Sequence, residues 1–129
     1  MSVMHGASQV IATLKKIAEK FPDYVAAAMY QEAQIMMTEA KRRTPVEYGN
    51  LRASGRVAPP VREGKRISVT LSFGTPYAIY VHENLTANHA NPPFGGGQAK
   101  FLESVLDEAR PTLAERIAKR VHFNNMGGA

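Results

Sequence analysis

The sequence predicts an α+β fold, and three observations carry it. Apolar residues recur at helical spacing through most of the first 43 positions. The stretch from Arg66 to Phe73 alternates strictly between apolar and polar residues. Helical spacing then returns near Ala99. With 129 residues, 44% hydrophobic and 21% charged, the chain has the size and composition of one globular domain, taken as 1–129. There is no cysteine, which excludes disulfides and thiolate metal sites. No stretch reads as a signal peptide or a transmembrane span.

Residues 1–6 are expected to fray. From Ala7 to Lys20 the positions Val10, Ile11, Leu14, Ile17 and Ala18 predict a short amphipathic helix, with Ser8 as its N-cap. Phe21-Pro22-Asp23 interrupts it, and Pro22 suits the first turn of the next helix. That helix is predicted from about Asp23 to Arg43. Val25, Met29, Ala33, Met36 and Ala40 form one face, which Ile35 and Met37 widen. At this spacing the methionines read as core. Glu32 and Glu39 read as the solvated side. Lys41, Arg42 and Arg43 complement the helix dipole in the last turn.

Pro45 ends the helix by disfavouring helical geometry at Thr44. Gly49 then offers a turn, Leu51 an apolar anchor and Arg52 a planar charged fork. A corner leading into strand is expected here. Gly55 to Val61 is a weak strand, irregular or at an edge, because Pro59 and Pro60 cannot donate to a ladder. Arg62 to Lys65 reads as a hairpin turn. Arg66 to Phe73 is the clearest strand, with Ile67, Val69, Leu71 and Phe73 on its buried face. After the break at Gly74-Thr75-Pro76, Tyr77 to Glu83 is ambiguous. Its β-branched and aromatic residues suit a strand, but Thr75-Pro76 is a good helix start, and a short helix is the expectation. Asn84 to Gln98, with Pro92-Pro93 and three consecutive glycines, is expected to be a mobile loop. Ala99 to about Arg120 is helical, with a kink or restart at Pro111. Residues 122–129 are expected to be a disordered tail.

The net charge of +5 is uneven. Between Lys41 and Arg66 eight basic residues face only Glu47 and Glu63, a net of +6. Such a segment suits a solvated basic face, an acidic protein partner or a nucleic-acid backbone. Catalytic chemistry finds little support. His82-Glu83 lacks the second histidine of a zincin helix, and His82, His89 and Glu83 have no diagnostic metal spacing. The glycine run lacks the Lys-Ser/Thr of a phosphate loop. Ser54, Ser68, Ser72 and Ser104 lie in no nucleophile elbow.

Three blocks, in order, carry a resemblance. They are Ala40-Lys41-Arg42-Arg43-Thr44-Pro45-Val46 followed by Gly49-Asn50-Leu51-Arg52-Ala53-Ser54, then Pro76 to Glu83, then Gly97 to Glu103. Their order and spacing resemble the small head–tail connector, or tail-component, family of long-tailed bacteriophages, over roughly residues 10–120. Two features depart from the family pattern: the aromatic Tyr48 before Gly49, and the length of the 84–97 loop. The resemblance implies a fold in which a small antiparallel β-sheet packs against a long N-terminal α-helix, with a C-terminal helix. It implies a structural virion protein, a neck or minor capsid subunit made in the host cytoplasm. That subunit would form a homo-oligomeric ring between capsid and tail, among other head-completion and tail proteins. Neither catalytic residue nor cofactor, metal or membrane is expected. Packaged DNA passes through the neck, so the basic segment Lys41–Arg66 is a candidate for contact with it. The alternative is a basic nucleic-acid-binding module built on that same segment. Arg52, Tyr77, Tyr80 and Glu83 are the candidate interface residues, because they cluster in the two blocks flanking the best strand.

Overall fold

The computed structural model describes residues 12–45, 49–74, 76–80 and 96–125, with 76–80, 96–100 and 124–125 described through their backbone. Residues 12–20 form α1, whose Leu14 and Ala18 are buried while Lys15, Lys16, Glu19 and Lys20 face solvent. Phe21 leaves helical geometry, and Pro22 opens α2 (Pro22–Arg43), where its missing N–H costs nothing. The ring of Phe21 lies 5.9 Å from that of Tyr24, and the Lys20 ammonium stands 5.8 Å over it.

The predicted face of α2 is the buried one: Val25, Met29, Ala33, Met36 and Ala40 are buried together with Met37. Two expectations fail on this helix. Ile35 is 53% exposed and does not widen the core stripe, whereas Glu32 is 2% exposed. The helix stops as Pro45 requires. Thr44 is extended and buried, with its hydroxyl on the Ala40 carbonyl at 2.9 Å. Beyond it the chain forms a short helix, α3 (Gly49–Ala53), in place of a bare corner. One turn brings Leu51 against the core, and the Ser54 N–H and hydroxyl satisfy the Leu51 carbonyl. Gly49 therefore sits in a helix and has open space around its Cα.

The sheet is antiparallel and built on β3 (Arg66–Phe73), whose burial alternates as its sequence does. β1 (Gly55–Val57) pairs with its C-terminal half and β2 (Val61–Glu63) with its N-terminal half. Both share one edge of β3, because β4 (Pro76–Tyr80) pairs with Ser68 to Ser72 on the other. Val57 stands opposite Leu71 and Val61 opposite Ser68. Three residues, Ala58, Pro59 and Pro60, thus face two, Val69 and Thr70, which defines a β-bulge. The bulge reverses the alternation. Val61 turns outward, 53% exposed, and Arg62 pairs with the inward-facing Ile67 and reaches Asp23 of α2 at 2.8 Å. Gly64 closes the β2–β3 turn at φ +61°, a conformation that favours glycine.

β4 corrects the expectation of a short helix at Tyr77–Glu83, as far as residue 80. Its residues find ladder partners on the free edge of β3, and Pro76 occupies the first position, where a missing N–H is tolerated. Residues 81–83 lie outside the described residues. So do Ser8, the expected frayed start, and residues 84–95 of the expected loop.

The last element is α4 (Gly96–Asn125), a single helix that passes through Pro111. The expected restart does not occur, the helix begins before Ala99, and residues 122–125 are helical rather than tail. The cost of Pro111 is offset because Leu102, Val105, Leu106 and Ala109 on one side of it, and Leu113, Ile117 and Val121 on the other, are all buried. Pro111 itself is exposed. α4 lies antiparallel to α2: Arg43 meets Ser104 and Glu108, while Glu32 meets Arg116 and Arg120. Both helices contact the inner face of β3. The result is two layers, helices on one side and sheet on the other. Gly55 lets them close. A Cβ there would stand 2.5 Å from the Phe73 ring and 2.9 Å from both Lys41 Cε and Met37 Sδ.

Candidate functional site

The corner after α2 is held by Arg52. Its Nη2 donates to the Thr44 carbonyl at 2.7 Å, which satisfies the C-cap carbonyl of α2. Its Nε is buried and meets no acceptor among the described residues. Arg52 stands just before β1, on one edge of β3, whereas Tyr77 and Tyr80 lie in β4 on the other edge. Tyr77 occupies the register position of Leu71 and Tyr80 that of Ser68, positions on opposite faces of the sheet. Glu83 lies outside the described residues, as do His82 and His89.

The basic segment is less free in space than in sequence. Arg42 and Arg43 both bind Glu39, at 2.9 Å each. Arg43 also grips Glu108 with two hydrogen bonds, of 2.8 and 2.7 Å, and donates to Ser104 at 3.2 Å. These contacts set the titration of the group. Hydrogen bonds from Arg42 first, and Arg43 second, hold the Glu39 carboxyl below its ordinary value. The Arg43 hydrogen bond does the same to Glu108, and the two carboxylates raise Arg43 in turn. With Arg62 on Asp23, three of the eight basic residues are paired to carboxylates outside their own segment.

Sequence reasoning missed the most constrained polar group of the helical layer. The buried carboxylate of Glu32 accepts from Arg116 Nε at 2.9 Å and from Arg120 Nε at 2.6 Å. The Arg120 Nη1 reaches Gln31 Oε1 at 3.2 Å, and the Arg116 Nη1 donates to Thr112 Oγ1. A signal was present. Glu32 follows Val25 by seven and Met29 by three, so helical spacing puts it on the apolar stripe. A carboxylate on such a stripe requires cationic partners. Arg116 and Arg120, four apart, supply them.

An open cleft of about 250 Å³ lies between α1 and the β2–β3 turn, lined in part by Glu19, Pro22, Arg62 and Lys65. It mixes charges, and its described lining contains no serine, threonine or histidine. Among the described residues no group of three His, Asp or Glu side chains could hold a metal ion, and no helix is long and apolar enough to cross a membrane.

A family model described as "Bacteriophage HK97-gp10, putative tail-component" matches residues 8–83, more than half of the chain. The chain belongs to this HK97 gp10-like family of phage tail components. The match spans α1 to β4 and includes the blocks around Thr44–Ser54 and Pro76–Glu83. No curated protein and no solved structure matches the chain.

Proposed function

We propose that this tail component is a ring subunit at the head–tail junction, joining capsid to tail in the virion. One observation carries the reading: the domain has two unlike sides. The helical layer presents ion-paired helices, while the outer positions of β3 carry Arg66, Ser68, Thr70 and Ser72, none of them buried. Head-to-tail contacts that close into rings join two different surfaces of each subunit. Family membership supports a virion location and virion protein partners. In this reading Arg52, Tyr77, Tyr80 and Glu83, on the segments flanking β3, contribute to contacts between subunits or with neck neighbours. Alanine at all four positions is expected to impair particle assembly, and unchanged assembly would remove them from the contact.

The test of the role is localisation. Gold-labelled antibody to this chain, applied to purified particles, is expected to mark the head–tail junction under the electron microscope. Label elsewhere on the tail would move the subunit. Particles without the protein would overturn the reading. Binding to DNA that falls steeply with salt would then favour the Lys41–Arg66 segment as a nucleic-acid module.

A further inference from the structure

The Glu32 cluster carries more positive charge than its carboxylate needs. Two guanidinium groups meet one buried acid, and each is fixed through Nε and Nη1. Neither Nη2 has an acceptor among the described residues, and the two side chains remain 39% and 35% exposed. A guanidinium anchored in this way is a planar donor with a set direction, so two prepared donor edges stand one helical turn apart. The adjacent Lys119 is already paired, with Glu115 at 3.3 Å.

The flanks of this pair are apolar. Ile35, one turn beyond Glu32 on α2, is 53% exposed, and Phe123, one turn beyond Arg120 on α4, is 58% exposed. Because the helices are antiparallel, these two side chains lie at opposite ends of the arginine pair. Prepared cations between two exposed apolar side chains have the composition of a protein-binding surface.

We propose that the α2–α4 seam at Arg116 and Arg120 docks an acidic segment of another virion protein. The partner's carboxylates take the Nη2 donors, and its apolar side chains cover Ile35 and Phe123. The proposal rests on the virion role argued above. A nucleic-acid backbone fits less well, since it rewards an extended basic run and has nothing to place on the apolar flanks. A second copy of this chain fits less well too. The described carboxylates outside ion pairs, Glu19, Glu63 and Glu103, lie on three different elements and form no acidic segment.

The test places a photo-crosslinking phenylalanine analogue at Phe123 in particles assembled with the full chain. The expected product joins it to a peptide of a different virion protein rich in Asp or Glu. Arg116→Lys with Arg120→Lys keeps two cations beside Glu32 but removes the Nη2 donor of each. This double variant is expected to cut the yield about tenfold or more. Ile35→Asp, a change at an exposed position, sets a like charge against the partner and is expected to do the same with an unchanged melting temperature. Crosslinks to DNA, to this chain or to a peptide without acidic residues would overturn the proposal. So would a yield indifferent to Ile35→Asp, or no crosslink in particles that contain the chain. Particles lacking the chain would overturn the virion role itself, and this surface with it.

Discussion

Glu32 and Glu39 stand seven residues apart on α2, and each carboxylate meets two arginines. The partners of Glu39 come from its own helix, three and four residues on, and its side chain is 30% exposed. The partners of Glu32 come from α4, 84 and 88 residues away, and its side chain is 3% exposed. The same stoichiometry therefore does two different jobs. A local, hydrated pair adds little beyond helix propensity. A buried carboxylate commits two helices to one register, because leaving it unpaired is costly.

The widest separation between the two is expected on deletion. Glu32→Ala leaves a void on the core face and two guanidinium groups without their anchor. It is expected to cost about 3 kcal/mol, the lower end for a broken buried pair because the arginines can hydrate. Urea unfolding measures it, and a loss under ~1 kcal/mol would place Glu32 with ordinary surface pairs. Gly55→Ala is the uncharged control. The added methyl meets the Phe73 ring and two α2 side chains, and about 2 kcal/mol is the expected cost. Its effect is expected to be the same at low and high salt. Arg43→Ala removes the exposed link between Glu39 and Glu108 and is expected to cost less than either. Its effect is expected to fade in about 1 M salt, where screening acts within ~3 Å, while the Glu32→Ala loss persists. If both losses faded together, the distinction between the two clusters would collapse.

The same contrast explains what could be read from the sequence. α2 and β3 were legible because a helix stripe and a strand alternation are local patterns. The stop at Pro45 and the break at Pro22 were legible because proline acts on its immediate neighbours. The features that were not legible depend on distant partners. Tyr77 to Tyr80 becomes strand because β3 offers an edge. Val61 turns outward because the register across Pro59-Pro60 is set by β3. Pro111 is carried inside α4 by burial on both sides of it. Glu32 lay on the apolar stripe by spacing, yet its charge made it read as solvated until Arg116 and Arg120 were in place. Arg52 read as a planar charged fork, but the acceptor its Nη2 finds, the Thr44 carbonyl, could not be named from the sequence. The basic segment was visible, but the carboxylates that neutralise part of it, Asp23, Glu39 and Glu108, lie outside it in sequence.

Acid gives the finest test of the exposed cluster. The Glu39 and Glu108 carboxyls are held below the ordinary 4.5, Glu39 by Arg42 and then Arg43, Glu108 by Arg43. An unfolded chain loses these contacts, so its carboxyls bind protons more readily than the folded chain's. The contribution is therefore complete above the ordinary carboxylate range and is lost as pH falls below about 4.5 through the depressed folded values. Arg43→Ala removes the cause of the shift at Glu108 and part of it at Glu39, where Arg42 remains. The stability gap between wild type and Arg43→Ala is thus expected to be widest near neutral pH. It is expected to narrow below the ordinary carboxylate range and close once both carboxyls are protonated. Urea melts at stepped pH measure this gap. A gap that stayed constant into acid would mean that Arg43 acts through the packing of its aliphatic stem against α4, with its charge contributing nothing.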